Sequence, residues 1–206
     1  MSAAAGARLA VDIGGTFTDI VLEAHGKRWI GKVLTTPRAP EDAVIAAVRE
    51  ILAEARLAPD GLGLFILGTT LATNALIERK GAKTALVTTE GFRDLVEIGW
   101  EHRFAQYDIF LDKPAPLVPR HLRLPVPERI DAKGRVLLPL DEAAVAALLP
   151  TLQREGIESV AIAFLQSFTN TAHERRMKDI LKRALPDLWI TLSSDVCPEI
   201  REYERI

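Results

Sequence analysis

The fold of the N-terminal part of the chain is decided by the stretch Val11-Asp12-Ile13-Gly14-Gly15-Thr16-Phe17-Thr18-Asp19. It lies between two apolar runs, residues 9–11 and 20–22, which have the composition of β-strands. Two such strands joined by paired glycines predict a hairpin, because glycine permits the positive φ angles of a tight primed turn.

A tight turn of this kind points several backbone N–H groups to one side, where they form a concave anion site with neighbouring hydroxyls. Asp12 lies at the end of the first strand, and a carboxylate beside a phosphate cradle favours Mg²⁺, which takes oxygen ligands and often keeps its waters. We therefore expect Asp12 to be the catalytic residue and to hold Mg²⁺ through water. The residues predicted to donate hydrogen bonds to phosphate are Gly14, Gly15, Thr16 and Thr18, and Asp19 is a further candidate cofactor-binding residue.

Other glycine-rich phosphate loops fit the stretch less well. A dinucleotide fingerprint needs a third glycine and a following helix, and a Walker A loop needs Gly-Lys-Ser/Thr; both are absent here. The pattern resembles the first phosphate hairpin, Asp-x-Gly-x-Thr, of the actin, hexokinase and Hsp70 ATPase superfamily. The alternative is a plain hairpin whose aspartates cap turns, a role that fits Asp19 equally well.

Composition limits the classes of function. The chain has 206 residues, a net charge of −2 and 48% hydrophobic residues, which argues against a duplex nucleic-acid binder and allows a sizeable core. No apolar run reaches the roughly 18–20 residues that cross a membrane. The N-terminus lacks the pattern of a secretory signal, and Cys197 is the single cysteine. We expect a cytoplasmic protein that binds neither nucleic acid nor membrane.

The order of elements predicts an α/β fold. Residues 8–99 read as β-β-β-α-β-α-β-α, the order of a ribonuclease H-like lobe with a mixed sheet. Within it, the apolar run 64–67 is typical of a strand covered on both faces, and the next helix, 71–80, should end at Gly81. A further strand is predicted at 84–89 and a short helix at 91–98.

The rest of the chain predicts a second α/β unit. Residues 100–140 form a Pro-rich excursion that allows neither regular helix nor central strand, apart from a small hairpin. Residues 141–192 alternate helix and strand, with Asp141 as an N-cap, Pro150 ending or kinking its helix, and a capping box at 171–174. The three parts, residues 8–99, 100–140 and 141–192, together form one predicted region, 8–192. Residues 193–206 should be the truncated start of the next domain.

A second polar group follows the strand at 64–67. Thr69, Thr70 and Asn74 lie at a strand-to-helix junction that should face the nucleotide cleft, and we expect them to contact the substrate. The alternative at Thr69 or Thr70 is capping of the helix, a common role for threonine.

Several segments in fixed order resemble one family. They are residues 11–19, 68–76, 83–94 and 198–205, and they are similar to the N-terminal region of the hydantoinase A / 5-oxoprolinase family. The resemblance implies ATP and Mg²⁺ bound between two lobes, activation of a cyclic amide carbonyl by phosphoryl transfer, and ring opening by water. It further implies a small cyclic amide substrate, a hydantoinase B-type partner subunit or domain, an oligomeric assembly, and a second nucleotide-binding lobe after Ile206.

Two positions depart from the family pattern. The family usually has His directly before Gly-Thr-Thr, where this chain has Leu67, and Trp100 stands where a basic residue is expected. Two other functions therefore stay open. One is the nucleotide-binding subunit of an acetone-type carboxylase, and the other is a catalytically silent nucleotide-binding or assembly module. The isolated fragment is expected to be inactive.

Overall fold

The computed structural model describes residues 6–36, 39–99 and 107–206. The chain divides between Lys80 and Gly81 into two compact units, each with its own sheet. Both units mix helices and strands, which confirms the α/β class. In the described residues, no helix is long and apolar enough to cross a membrane.

The first unit is one four-stranded sheet with a helix packed on one face. Its strand order is β3-β2-β1-β4, antiparallel except for the parallel pair β1 and β4. The elements are β1 Ala7–Ile13, β2 Phe17–Ala24, β3 Lys27–Leu34, α1 Pro40–Glu54, a 3-10 turn at Pro59–Gly61, β4 Leu62–Thr69 and α2 Leu71–Ile77.

Alternation of apolar and polar side chains explains which face of this sheet is covered. The buried positions of β1 and β2 point toward α1, and Asp12 and Asp19 point to the opposite, open face. Pro40 occupies the first turn of α1, with Glu41 and Asp42 at its positive dipole end. The core of this unit comprises Ala7, Leu9, Val11, Ile13, Ile20, Leu22, Ala24, Ala47, Ile51 and Leu52.

The predicted hairpin is present, but the predicted turn type is wrong. Neither Gly14 nor Gly15 has a positive φ angle, whereas Gly26 in the next turn has φ 71°. The turn is closed by the Gly14 N–H, which donates to the carbonyl of Phe17 at 2.9 Å. A Cβ at Gly14 would lie 2.9 Å from that carbonyl oxygen, so glycine is required here by a close backbone approach rather than by its φ angle.

The strand β4 differs from its prediction. It lies at the edge of the sheet, and the side chains of residues 64–67 are 45–55% exposed instead of covered on both faces. The helix after it is shorter than expected. It ends at Ile77, and Arg79, not Gly81, has the left-handed backbone that follows.

The second unit is a parallel sheet with the strand order β10-β9-β5-β6, together with a small hairpin of β7 and β8. Helices α4 and α5 contact each other and this sheet. The elements are β5 Thr84–Thr89, α3 Leu95–Ile98, a 3-10 turn at Arg120–Leu122, β6 Arg123–Val126, β7 Arg129–Ile130, β8 Val136–Leu138, α4 Glu142–Arg154, β9 Ser159–Ala163, α5 Ala172–Ala184, β10 Trp189–Leu192, α6 Ser193–Val196 and α7 Glu202–Arg205.

The expected grouping of residues 84–98 with the first lobe is wrong. The strand β5 pairs with β9 and β6 of the second sheet, because its residues 85–89 are buried there. The Pro-rich segment, residues 100–140, also contributes a strand to this sheet. Its strand β6 joins this sheet at the edge, a position in which a proline such as Pro125 is tolerated.

The sequence predicted three features of the helices in the second unit, and the structure confirms one of them. Asp141 is confirmed as an N-cap, since its carboxylate accepts a hydrogen bond from the Ala144 N–H at 2.9 Å. Pro150 neither ends nor interrupts α4, which continues to Arg154. The predicted capping box is wrong, because the Thr171 hydroxyl makes no cap hydrogen bond and the Glu174 carboxylate is buried elsewhere.

Residues 193–206 pack within the second unit. Helix α6 contacts β9 and β10, and α7 contacts α3 and α6. The buried guanidinium of Arg205 donates to the carbonyl of Phe164 at 3.1 Å and to that of Glu199 at 2.9 Å. The charged C-terminal stretch therefore has regular structure; its assignment to a following domain stays a prediction.

Candidate functional site

Parallel pairing of β1 with β4 brings the two predicted polar groups together. In this register, Asp12 lies opposite Gly68 and Ile13 lies opposite Thr69. The carbonyl of Ile13 accepts hydrogen bonds from the Thr70 N–H at 3.1 Å and the Thr69 hydroxyl at 3.3 Å. The hairpin and the β4–α2 junction, far apart in sequence, thus form one candidate site.

Asp12 occupies the open face of the sheet with an exposed side chain. Its neighbour on β4 is Gly68, where an added Cβ would lie 3.4 Å from Asp12 Oδ1. Among the described residues, no hydrogen bond or ion pair to the Asp12 carboxylate is present. The carboxylate is therefore available to a ligand, and the missing side chain at Gly68 leaves room beside it.

The glycine turn lies against α2. A Cβ added at Gly15 would lie 3.3 Å from the side-chain nitrogen of Asn74, which itself donates to the Thr70 hydroxyl at 3.4 Å. Thr16 is exposed beside Gly15, and its carbonyl accepts from the Thr35 N–H at 2.9 Å. Gly15, Thr70 and Asn74 are therefore neighbours at the glycine turn that follows Asp12.

Thr18 is placed differently from the other predicted phosphate ligands. Its side chain is fully buried on the α1 face of the sheet, and its hydroxyl is 2.9 Å from that of Thr35. The Thr35 hydroxyl in turn donates to the carbonyl of Gly14 at 2.9 Å. In this structure Thr18 and Thr35 tie the turn to the end of β3, and sequence reasoning missed Thr35 because nothing in its local pattern marks it.

Asp19 shares the open face with Asp12, directly across the strand pair. Its carboxylate accepts from Lys32 on β3 at 2.8 and 3.1 Å. The same ammonium group lies 4.9 Å from the centre of the Phe17 ring. One row across the sheet therefore reads Lys32, Asp19, Asp12, Gly68. The sequence analysis assigned no role to Lys32. The alternation of side chains along its predicted strand nevertheless places it on one face of the sheet with Asp19.

The register between β1 and β4 also fixes the positions of Thr69 and Leu67. The Thr69 hydroxyl accepts from the Leu71 N–H at 3.3 Å, so it caps α2 as well as bonding β1. Leu67 pairs with Val11 and so projects from the face opposite to Asp12. Trp100 lies outside the described residues.

The chemistry of Asp12 and the glycine turn suits a phosphate with a hydrated cation. The turn offers the backbone amides of Gly15 and Thr16, and Asp12 offers one anionic oxygen ligand. Within 6–36, 39–99 and 107–206, no group of three or more His, Cys, Asp or Glu side chains has the arrangement of a metal cage. A cation here would thus keep most of its waters, as Mg²⁺ does.

Comparisons with known proteins show which family model and which proteins this chain resembles. Residues 8–185 match the family model described as hydantoinase/oxoprolinase N-terminal region. Caprolactamase subunit alpha of Pseudomonas jessenii is 38% identical over 211 residues, a match that covers 96% of this chain and 30% of that protein. 5-oxoprolinase 1 of Arabidopsis thaliana is 32% identical, with 96% of this chain and 18% of that protein covered.

Two solved structures share the fold. The crystal structure of ATP-dependent caprolactamase from Pseudomonas jessenii has a TM-score of 0.79 at 38% identity and covers 96% of this chain and 30% of that one. The nucleotide-free structure of acetone carboxylase has a TM-score of 0.80 at 27% identity, with 97% and 31% covered. The chain spans less than a third of the length of each of these relatives.

Proposed function

Since the chain belongs to the hydantoinase/oxoprolinase N-terminal region family, we propose that it forms the first part of an ATP-dependent enzyme subunit that opens a small cyclic amide. In the proposed reaction the amide carbonyl oxygen takes the γ-phosphoryl group of ATP, and ADP leaves. Water then attacks the activated carbon, the ring C–N bond breaks and the ring nitrogen takes a proton. A second water releases inorganic phosphate and leaves the free carboxylate. The relatives named ATP-dependent caprolactamase and 5-oxoprolinase support this reaction class. We assign the first unit to the ribonuclease H-like lobe of such a subunit.

One observation carries the proposal. The Asp12 carboxylate, which has no partner among the described residues, lies beside a turn with two glycines and opposite Gly68, and the side-chain nitrogen of Asn74 lies close to Gly15 of that turn. Phosphoryl transfer depends mostly on positioning and charge neutralisation, so such a site needs backbone donors and an anchored cation more than a nucleophile.

The residues present fit Mg²⁺. The Asp12 carboxylate has no protein partner among the described residues, and the glycines leave the backbone accessible. When bound, Mg²⁺ would neutralise charge on the phosphate oxygens. Asp12 would hold it through water, and the amides of Gly15 and Thr16 would donate to the phosphates. The Gly14 N–H already donates to the carbonyl of Phe17, so Gly14 would serve by letting the backbone of the turn close. Thr18 and Asp19 stay as proposed cofactor-binding residues. The buried Thr18 would act by holding the turn, and Asp19 by holding Lys32.

The other predicted residues orient the reacting groups. We assign Thr69, Thr70 and Asn74 to the substrate side of the glycine turn, because they approach it from β4 and α2. Asn74 would present its amide group to the substrate, and Thr69 would keep the junction closed on β1. A contact of either group with substrate would help to hold the carbonyl in line for transfer.

We further propose a cytoplasmic assembly with a hydantoinase B-type partner subunit. The name of caprolactamase subunit alpha supports a multi-subunit enzyme. A second candidate function is the nucleotide-binding subunit of an acetone-type carboxylase, which the likeness to acetone carboxylase favours. The two functions share the ATP site and differ in the co-substrate, since a carboxylase requires bicarbonate.

The test is ADP release by the full-length protein purified with its partner subunit. Caprolactam, 5-oxoproline, hydantoin and N-methylhydantoin form one panel, and acetone with bicarbonate forms the other. We expect ADP release that depends on a cyclic amide and not on bicarbonate. Bicarbonate dependence would assign the carboxylase function instead, and ADP release that no substrate stimulates would leave the silent nucleotide-binding module.

The Asp12→Asn variant tests the residue that carries the proposal. We expect turnover to fall by roughly 100-fold or more with an unchanged Tm, because Asn keeps the shape of Asp but not its charge. Asp60→Asn is the matched control, since Asp60 is exposed in the 3-10 turn of the same unit. Equal turnover in the two variants would remove Asp12 from the mechanism.

A further inference from the structure

The single helical turn α3, Leu95–Ile98, is held in place by basic side chains from other parts of the second unit. Arg120, in the 3-10 turn before β6, donates to both oxygens of the Asp94 carboxylate at 2.8 Å. The ammonium group of Lys113 donates to the carbonyls of the last two residues of α3 at 3.2 and 3.1 Å. One helical turn is not stable by itself, so the position of α3 depends on such contacts.

Arg123 contributes a buried contact to the same turn. Its side chain is 1% exposed, and its guanidinium donates to the Glu97 carboxylate and to the carbonyl of Val118, both at 2.9 Å. Among the described residues, the third guanidinium nitrogen, Nη1, has no hydrogen-bond partner and lies 3.9 Å from the Asp94 carboxylate. A buried guanidinium is costly without an anion beside it, so Arg123 fixes α3 to the start of β6.

The residue after α3, Gly99, lies against the ring of Tyr203 on α7. A Cβ added at Gly99 would lie 3.3–3.5 Å from three atoms of the Tyr203 side chain, and the φ angle of Gly99 is 54°. Both features favour glycine, because a larger residue would push the ring away and would be strained at this φ angle. The ring of Tyr203 therefore packs directly on the backbone at the end of α3.

Two other side chains of α7 contact the carboxyl end of β9. The Glu202 carboxylate accepts from the Gln166 N–H at 3.4 Å, and the buried guanidinium of Arg205 donates to the carbonyl of Phe164 at 3.1 Å. Since α7 is also a single turn, it depends on these contacts and on the contact with Gly99. Two single turns from distant parts of the chain thus support each other.

We propose that α3 and α7 open and close as one cooperative element, and that the ion pair between Glu97 and Arg123 holds this element closed. Loss of the pair would release α3, the ring of Tyr203 would lose its contact with Gly99, and α7 would open as well. The matching family model describes an N-terminal region, and α7 would be the place where the second unit restrains the polypeptide that follows it. The inference rests on contacts within the second unit and does not depend on the proposed reaction.

Millisecond hydrogen–deuterium exchange of the full-length protein measures the coupling. Two amides report on the two turns. The Gly99 N–H donates to the carbonyl of Leu95 at 2.8 Å in α3, and the Ile206 N–H donates to that of Glu202 at 3.0 Å in α7. In Glu97→Gln we expect exchange at both amides to rise roughly tenfold, because the charged hydrogen bond that holds α3 is lost. Exchange in α5 should not change.

A second variant tests the coupling from the side of α7. In Tyr203→Ala we expect faster exchange at the amide that reports on α3. The matched control is Glu142→Gln, which removes an ion pair with Arg176 elsewhere in the second unit and should leave both reporter amides unchanged. Unchanged exchange in α7 for Glu97→Gln, or in α3 for Tyr203→Ala, would overturn the proposal, because the two turns would then open independently. An equal rise in α5 would also overturn it, since the second unit would then open as a whole.

Discussion

Asp12 and Asp19 lie directly opposite each other on β1 and β2, but their carboxylates have different partners. The Asp19 carboxylate is bonded through both oxygens to Lys32, and the Asp12 carboxylate has no ionic partner among the described residues. Like charges directly across a strand pair repel each other. Lys32 thus neutralises one of the two carboxylates and leaves Asp12 as the anion available to a cation.

Removal of Lys32 should therefore change the affinity for a divalent cation. In Lys32→Gln, two uncompensated carboxylates face the proposed metal position, and we expect Mn²⁺ to bind the full-length protein with ADP roughly tenfold more tightly. Titration followed by the electron paramagnetic resonance of free Mn²⁺ measures this Kd. The control is Lys27→Gln, an exposed lysine at the far end of β3.

Two further variants separate this effect from the metal assignment. Asp19→Asn combined with Lys32→Gln should restore the parental Kd, and Asp12→Asn alone should weaken Mn²⁺ binding. An unchanged Kd in Lys32→Gln, with weakened binding in Asp12→Asn, would contradict only the role of Lys32. An unchanged Kd in Asp12→Asn would contradict the metal site itself.

Gly14 should tolerate no side chain. In Gly14→Ala the new Cβ would lie 2.9 Å from the carbonyl oxygen of Phe17, so the turn must open. We expect the free energy of unfolding to fall by roughly 1–3 kcal/mol and nucleotide binding to weaken. Gly81→Ala is the control, because its Cβ would meet no atom within 4 Å. Thermal unfolding and ADP titration should leave Gly81→Ala close to the parent; similar losses in both variants would argue against the close approach.

Glu174 should be needed for the second unit rather than for catalysis. Its buried carboxylate accepts hydrogen bonds from the Phe164 N–H at 3.1 Å, the Ser193 hydroxyl at 2.7 Å, and the N–H and hydroxyl of Ser194. Glu174→Ala leaves these buried donors unpaired, and we expect a loss of roughly 2–4 kcal/mol in the free energy of unfolding. Denaturant unfolding measures the loss, with the exposed Glu204→Ala as control.

Glu142 gives the second unit a predictable pH dependence. The hydrogen bond from Arg176 on α5 lowers the pKa of the Glu142 carboxyl on α4 below its ordinary value of 4.5. A lowered pKa in the folded state contributes stability above the unfolded pKa, and that stability is lost as the pH falls through the folded value.

The test compares Glu142→Gln with the parent from neutral pH to about pH 3. We expect the difference in Tm to be largest near neutral pH, to shrink as the pH falls below about 4.5, and to vanish at the acid end. Glu54→Gln, an exposed position on α1, should show no such trend. A Tm difference for Glu142→Gln that does not change with pH would exclude the ion pair as its cause.

The local pattern of the sequence determined much of the first unit. Apolar runs and paired glycines predicted β1 and β2, and the order of elements predicted β3 and α1 after them, because these elements pack against near neighbours in the chain. The same pattern identified Asp12 and the Asn74 junction as polar positions. The resemblance to a family added the reaction class and the nucleotide, neither of which follows from periodicity.

Contacts between distant residues decided the rest. The apolar runs of β4 and β5 look alike in sequence, yet β4 lies at an edge beside β1 and β5 lies inside the second sheet. The composition of a strand does not specify which other strands it pairs with. The pairing of Lys32 with Asp19 and the burial of Thr18 against Thr35 likewise depend on which strands become neighbours. Local sequence identifies the side chains that are able to form the site. The strand order of the folded chain fixes which of the two carboxylates bonds to Lys32, because the free energy of an ion pair depends on the distance between its charges.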